Sequence, residues 1–269
     1  MYKKERPMQY RIIDSHTHVY PDKIALKAAD SIGKFYDISM SLDGSVSTLL
    51  KVMEESGVSQ SLICSAALTP DRVANINNFI HTTVRAHPDQ FMGLMTLHPG
   101  MEDPRAEVER CLELGLKGVK LHPDMQKFAL DDDICNKMYA ACQGVCPMLL
   151  HTGDKRYHYS NPDMVPRILD KFPDLTLICA HMGGYSEWDM AARCLKDTNV
   201  YVDCSSTFFS VEKERVLELF DLFGEDRILF GSDYPMWHVG DEIKTLLSLG
   251  LSDTALKKIF SENILRILP

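Results

Sequence analysis

The sequence predicts an α/β fold, a (β/α)8 TIM barrel with an additional C-terminal helix, and three observations carry that expectation. Eight short apolar runs rich in β-branched residues recur along the chain, stretches of helical periodicity separate them, and 269 residues suit one barrel. We therefore read residues 1–269 as a single domain. An open doubly wound sheet is the alternative, but the first strand-to-helix turn, HTHVYPDK, has no glycine cradle for a dinucleotide.

The strand candidates are YRIIDSHTHV at 10–19, SQSLICSAA at 59–67, FMGLMTLHP at 91–99 and LKGVKLHP at 116–123. They continue with PMLLHTGD at 147–154, LTLICAHMGG at 175–184, NVYVDCSS at 199–206 and RILFGSDYP at 227–235. Each is bounded by Gly, Pro, Asp or Ser, the residues that turn a chain. Between them, Ser45 is the cap candidate of a helix stopped by Gly57, and Asp103 precedes Pro104 at the first turn of a helix stopped by Gly115. Further helices are expected over 71–87, 131–143, 161–171, 187–197, 211–223 and 238–249, with LSDTALKKIFSENILRIL as the terminal one. The stretch 20–44 is longer than a crossover requires and is expected to fold partly over the barrel mouth.

Composition narrows the function classes. Hydrophobic residues at 45% and charged residues at 25% describe a globular chain with a substantial core. The 29 Lys+Arg against 38 Asp+Glu, a net charge of −9, oppose phosphate backbones and anionic lipid, so neither nucleic acid nor membrane is an expected partner. No apolar run approaches the ~20 residues of a membrane helix, and the basic opening MYKKERPMQYR lacks the apolar stretch of a signal peptide, so a cytoplasmic protein is expected. Eight scattered cysteines without a CxxC pair read as reduced core thiols. A homo-oligomer is left open.

Chemistry collects at one kind of position. His16, His18, His98, His122, His151, His181 and Asp233 all fall at the C-terminal ends of predicted strands, the face on which a barrel builds its active site. His16 and His18 stand two apart on a strand, so the pleat turns both imidazoles to one side as a bidentate anchor for a cation. Asp14 shares that parity and lies deeper, as a buried hydrogen-bonding residue, with orientation of a ligand as its functional version. Asp203, Arg156, Tyr157, Trp188 and Trp237 are further pocket candidates, each equally open to a structural reading.

These residues resemble the amidohydrolase superfamily, and within it the branch that includes the aminocarboxymuconate-semialdehyde decarboxylase relatives. The resemblance spans nearly the whole chain and rests on DSHTH, GVKLHP, LLHTG, AHMGG and GSDYP in the family's order. It implies that His16, His18, His151 and Asp233 bind a divalent metal, that His181 acts beside it, and that Asp233 and His181 are the catalytic pair. Three imidazoles and a carboxylate suit Zn²⁺. Two-metal members carry a carboxylated lysine at the end of strand four, whereas here His122 takes the terminal position and Lys120 lies one pleat deeper, so one metal is expected. Lys120, His122, His98 and Trp237 are then the substrate-binding candidates for a small molecule. The glutamate that nuclease-like members carry at strand four is missing from GVKLHP, which argues against DNA hydrolysis.

The expected activity is that of a metal-dependent hydrolase opening a lactone, ester or amide bond of a small polar molecule through metal-activated water. The alternative is a metal-dependent decarboxylase of a small unsaturated or aromatic acid. A non-catalytic binding barrel is disfavoured, because every expected ligand position holds a competent residue.

Overall fold

Nine strand segments form in the computed structural model, which describes residues 10–269. The opening MYKKERPMQ lies outside the described residues. The segments are β1 (Ile13–His18), β2 (Gln60–Cys64), β3 (Phe91–Gly93), β4 (Met95–Thr96), β5 (Val119–Leu121), β6 (Met148–Leu150), β7 (Leu177–Cys179), β8 (Tyr201–Asp203) and β9 (Ile228–Leu229). All pairs are parallel, in the orders β1-β2-β3 and β4 through β9. β3 and β4 are two pieces of the third barrel strand. Between them the Leu94 amide donates to Ile63 at 2.9 Å, and the Met95 amide donates to Gly118 at 2.8 Å. The ring closes where the Ser15 amide donates to Phe230 at 2.9 Å and Thr17 bridges Tyr234 in parallel. The eight predicted strands are therefore all present, the third one broken, in a (β/α)8 barrel.

Alternation along each strand builds two cores. Ile13, Leu62, Leu94, Leu149, Ile178 and Leu229 point into the barrel, where Ile264 packs against them. Their neighbours Met148, Leu150, Leu177 and Cys179 point outward onto helix residues such as Leu49, Ile80, Val165, Leu219 and Leu246. Burying one such side chain stabilises the fold by roughly 1.5–3 kcal/mol. Ile264 comes from the C-terminal helical stretch, α11 (Asp253–Lys257) and α12 (Asn263–Ile267) joined by a π-helical turn. That stretch stoppers the end of the barrel opposite the site: the Phe230 amide donates to Ile259, and Asn263 Nδ2 to Ile228 O.

The other helices in chain order are α1 (Ala25–Tyr36), α2 (Val46–Ser56), α3 (Val73–Ala86), α4 (Pro104–Glu113), α5 (Pro123–Gln126), α6 (Asn136–Cys142), α7 (Met164–Lys171), α8 (Trp188–Leu195), α9 (Lys213–Phe223) and α10 (Val239–Ser248). The predicted caps act as expected. Ser45 Oγ accepts from the Thr48 amide at 3.2 Å and Asp103 Oδ1 from the Ala106 amide at 3.0 Å, while Gly57 ends α2 at φ 69°, a left-handed turn that favours glycine. All eight cysteines are unpaired, and no helix among the described residues is long and apolar enough to cross a membrane.

One expectation fails at β1. Asp14 pairs with Ser61 and Thr17 with Ile63, so Ser15 and His16 together stand opposite Leu62, a β-bulge. The extra residue reverses the parity, and Asp14 does not share a face with His16. It turns instead toward the end of β9, accepting from the Ser232 amide at 2.9 Å and Ser232 Oγ at 2.5 Å.

A second buried carboxyl, Glu242 in α10, has an Oε2 without a hydrogen-bond partner. Burial first, then Asp14 and Asp233, push its pKa up to about 8. The folded state therefore keeps a proton that the unfolded chain releases near pH ~4.5, so stability falls as pH rises from about 4.5 through about 8. Glu242→Gln is expected to stabilise the fold little at about pH 5 and by on the order of 2–4 kcal/mol at about pH 8.5, so that Tm rises much more at the higher pH. Equal gains at both pH values in thermal melts would contradict this account.

Candidate active site

Three ligand atoms converge at the mouth of the barrel. His16 Nε2 lies 3.2 Å from His18 Nε2, and Asp233 Oδ1 lies 3.5 Å from each. The bulge in β1 lets His16 share the interior with His18, and the Asp233 amide, donating to His16 O at 2.9 Å, ties the end of the last strand to the first. Side chains behind them fix the rings. His16 Nδ1 lies 3.0 Å from Asp203 Oδ2 and 3.1 Å from Ser205 Oγ. A proton on Nδ1, assigned from the Asp203 carboxylate, leaves the Nε2 lone pair facing the centre. Ser206 Oγ donates to Asp233 Oδ2 at 2.6 Å and itself accepts from Trp237 Nε1 at 2.8 Å.

This donor set fits a divalent cation. The Lys120 ammonium lies 2.8 Å from His16 Nε2, a positive charge on the lone pair that a metal would use. Lys120 is fully buried, and that burial lowers its pKa. Burial, reinforced by Lys120, holds His18 and His122 well below the usual imidazole range, and burial with His122 does the same for His151. Burial brings His181 down to about 4. Burial alone would raise Asp233, but His16, His181, His18 and the Ser206 hydrogen bond outweigh it and hold the carboxyl well below the usual range. Asp203 follows the same balance, with His16 prevailing, to about 2.

His151, His122 and His181 form the opposite side. His151 stacks flat on His122, centroids 4.1 Å apart, and its Nδ1 lies 3.0 Å from His181 Nε2. Its Nε2 stands 3.6 Å from Asp124 Oδ2, so its close acidic neighbours are Asp124 and Asp154, apart from the His16–His18–Asp233 trio. His181 is held by Ser205 Oγ at 3.0 Å and Ser205 O at 3.1 Å, with its amide on Asp203 Oδ1. Three of these residues, His181, Ser206 and Asp233, have φ of 61°, 48° and 57°, a left-handed backbone that non-glycine residues adopt at a cost.

A cavity of ≈ 410 Å³ opens above, and its wall includes His16, His18, Lys120, His122, His151, His181 and Asp233. As expected for the stretch 20–44, α1 crosses the mouth and contributes Ala28, Ile32 and Tyr36, with Ile24 just ahead of it. Two expected substrate contacts are not on that wall. The third strand ends at Thr96, so His98 sits on the turn beyond it, its Nδ1 accepting from the Gly100 amide at 3.0 Å. Trp237 stands behind the wall, its Nε1 donating to Ser206 Oγ and its ring stacked on Phe209 at 4.7 Å.

A family model described as Amidohydrolase matches residues 13–269. The chain belongs to the amidohydrolase family. Among solved structures, the chain is similar to an uncharacterised TIM-barrel protein from Bordetella bronchiseptica, at 21% identity and TM-score 0.76 over 96% of this chain and 98% of that one. It is similar to a dihydroxybenzoic acid decarboxylase from a Polaromonas species, with bound manganese and the inhibitor 2-nitroresorcinol, at 18% identity and TM-score 0.73 over 96% and 97%. It is also similar to a 2,6-dihydroxybenzoate decarboxylase from Rhizobium, at 18% identity and TM-score 0.74 over 96% and 98%. At these identities the likeness establishes the barrel fold.

Several residues of the amidohydrolase site escaped the sequence reading. Ser205 and Ser206 follow Asp203 in DCSS, where a polar run after a strand was the available signal. Tyr36 had no such signal, because helical periodicity does not say which neighbour α1 will meet. Asp124, whose Oδ1 is buried without a partner and whose carboxyl burial pushes up to about 7, sits one residue past the HP of strand four.

Proposed function

We propose that this protein is a metal-dependent decarboxylase of a small aromatic or unsaturated acid. The observation that carries the proposal is the division of the cavity: an apolar upper wall of Ile24, Ala28, Ile32, Met40, Leu68 and Met125 over a floor of histidines, Lys120 and Asp233. A flat acid fits with its ring against the apolar wall and its carboxylate on the floor. Seated there it exchanges water for fixed dipoles, which favours release of neutral carbon dioxide. The named activities of the Polaromonas and Rhizobium neighbours support this reading better than hydrolysis, which the sequence reading puts first.

His16, His18 and Asp233, with His151 as fourth ligand, are the residues proposed to hold one divalent ion. When bound, the ion supplies Lewis-acid anchoring of the substrate's oxygens. Zinc suits the imidazole donors, and manganese is the ion in the Polaromonas structure. Lys120 adds positive charge beneath the carboxylate. As the bond to the carboxyl carbon breaks, its electron pair stays on the ring carbon and takes a proton. The proton shared by His181 and His151 is the one proposed to be delivered, water restores it after carbon dioxide leaves, and Asp233, ionised and steadied by Ser206, is placed to relay that proton from water.

The family's description as amidohydrolases favours the second reading, opening of a lactone, ester or amide by water. Product analysis separates the two. With a panel of hydroxybenzoic acids in D₂O, the enzyme is expected to release carbon dioxide and leave one deuterium on the vacated carbon. Label from ¹⁸O-water in a new carboxylate, with no carbon dioxide from any acid, hands the case to the hydrolase.

A further inference from the structure

One polar group on the cavity wall has no part in the proposed reaction, the phenol of Tyr36 at the end of α1. Its hydrogen bonding has a direction. The Met125 amide donates to His122 O at 3.1 Å and also faces His122 Nδ1 at 3.4 Å, and we assign the ring proton to Nε2 from that contact. That Nε2–H then donates to Tyr36 Oη, 2.7 Å away. An oxygen that accepts from His122 has its own proton left to give. The other ring within reach is His151, and its Nε2 at 3.5 Å makes only a long contact that a closer anionic oxygen would displace.

The position of this hydroxyl is set from outside the histidine cluster. Arg156 Nη1 donates to Phe35 O at 2.6 Å, and the guanidinium lies 4.9 Å from the Phe35 ring, 5.2 Å from Tyr36 and 5.3 Å from Tyr157. Asp154 holds Arg156 from behind, with Nε on Oδ1 at 2.9 Å and Nη2 on Oδ2 at 2.6 Å. Phe35 stacks on Tyr157 at 5.6 Å. Arg156 thus latches the end of α1 to the loop after β6.

We infer that Tyr36 is a substrate-binding residue whose O–H donates to an anionic oxygen of the acid, and that the Arg156 latch positions it. The class of ligand rests on the decarboxylase reading. The test measures binding of 2,6-dihydroxybenzoate to the metal-loaded enzyme by calorimetry, alongside metal content and Tm. Tyr36→Phe removes only the hydroxyl and is expected to bind about tenfold or more weakly at unchanged metal content and Tm, the loss of one charge-assisted hydrogen bond. Arg156→Met is expected to weaken binding similarly in the wild-type background and hardly at all in the Tyr36→Phe background, since no hydroxyl remains to be positioned. Equal affinity of Tyr36→Phe and wild type overturns the inference and leaves the decarboxylase reading standing, and losses that simply add overturn the latch. Failure of the wild type to bind this acid or any other hydroxybenzoate overturns both.

Discussion

Asp233→Asn is expected to empty the metal site and to lower turnover by about a thousandfold or more, equivalent to roughly 4 kcal/mol of transition-state stabilisation. Asp233 brings the only carboxylate of the converging trio, with Oδ1 3.5 Å from both imidazole nitrogens, and asparagine keeps its shape while removing its charge. The Ser206 contact survives the change, so the fold is expected to hold. Elemental analysis and single-turnover rates on the same preparation check it. A variant that retains a full equivalent of ion would remove Asp233 from the ligand set. Two companions sharpen the assignment: His16→Ala should lose metal with activity, whereas His181→Ala should keep most metal and lose turnover. His151→Ala decides the fourth ligand, because that ring faces His181 on one nitrogen and Asp124 on the other.

Asp203→Asn carries the second large effect. One carboxylate receives His16 Nδ1 at 3.0 Å, the His181 amide at 3.1 Å and the Ser205 amide at 3.0 Å, all fully buried. An amide there can present its NH₂ to His16, which drives the imidazole proton to Nε2, the atom that faces the centre. A comparable exchange behind a catalytic histidine costs about 10⁴ in turnover, and outer partners of metal-ligating histidines are worth roughly 10–100-fold in metal affinity. We expect losses of about 10²–10⁴ in turnover with weaker metal retention. Wild-type affinity and rate in a well-folded Asp203→Asn protein would mean that His16 does not depend on Asp203 for its tautomer.

The sequence spoke most clearly where one residue's role follows from its neighbours along the chain. The spacing in DSHTH, the polar residues closing each apolar run, and Ser45 and Asp103 ahead of their helices all have local causes, and the strands and caps form where those causes put them. It misled where strand geometry departs from regular alternation. The bulge at Ser15–His16 turns Asp14 away, and the early end of the third strand carries His98 onto a turn. Tyr36 was out of reach for a different reason: its meeting with His122 joins residues 86 apart through the docking of α1, which no local pattern records.

The left-handed backbone at His181, Ser206 and Asp233 bears on how this enzyme can be engineered. Glycine adopts that conformation without the steric penalty of a side chain, on the order of 1 kcal/mol per position. At these three positions the side chains are buried and hydrogen-bonded at the proposed cation site, so glycine would relieve the backbone and lose more in packing and hydrogen bonds. The strain at these places is therefore held by the packing around them. Stabilising changes have to be sought among the outer helices, with these three positions kept out of the mutagenised set.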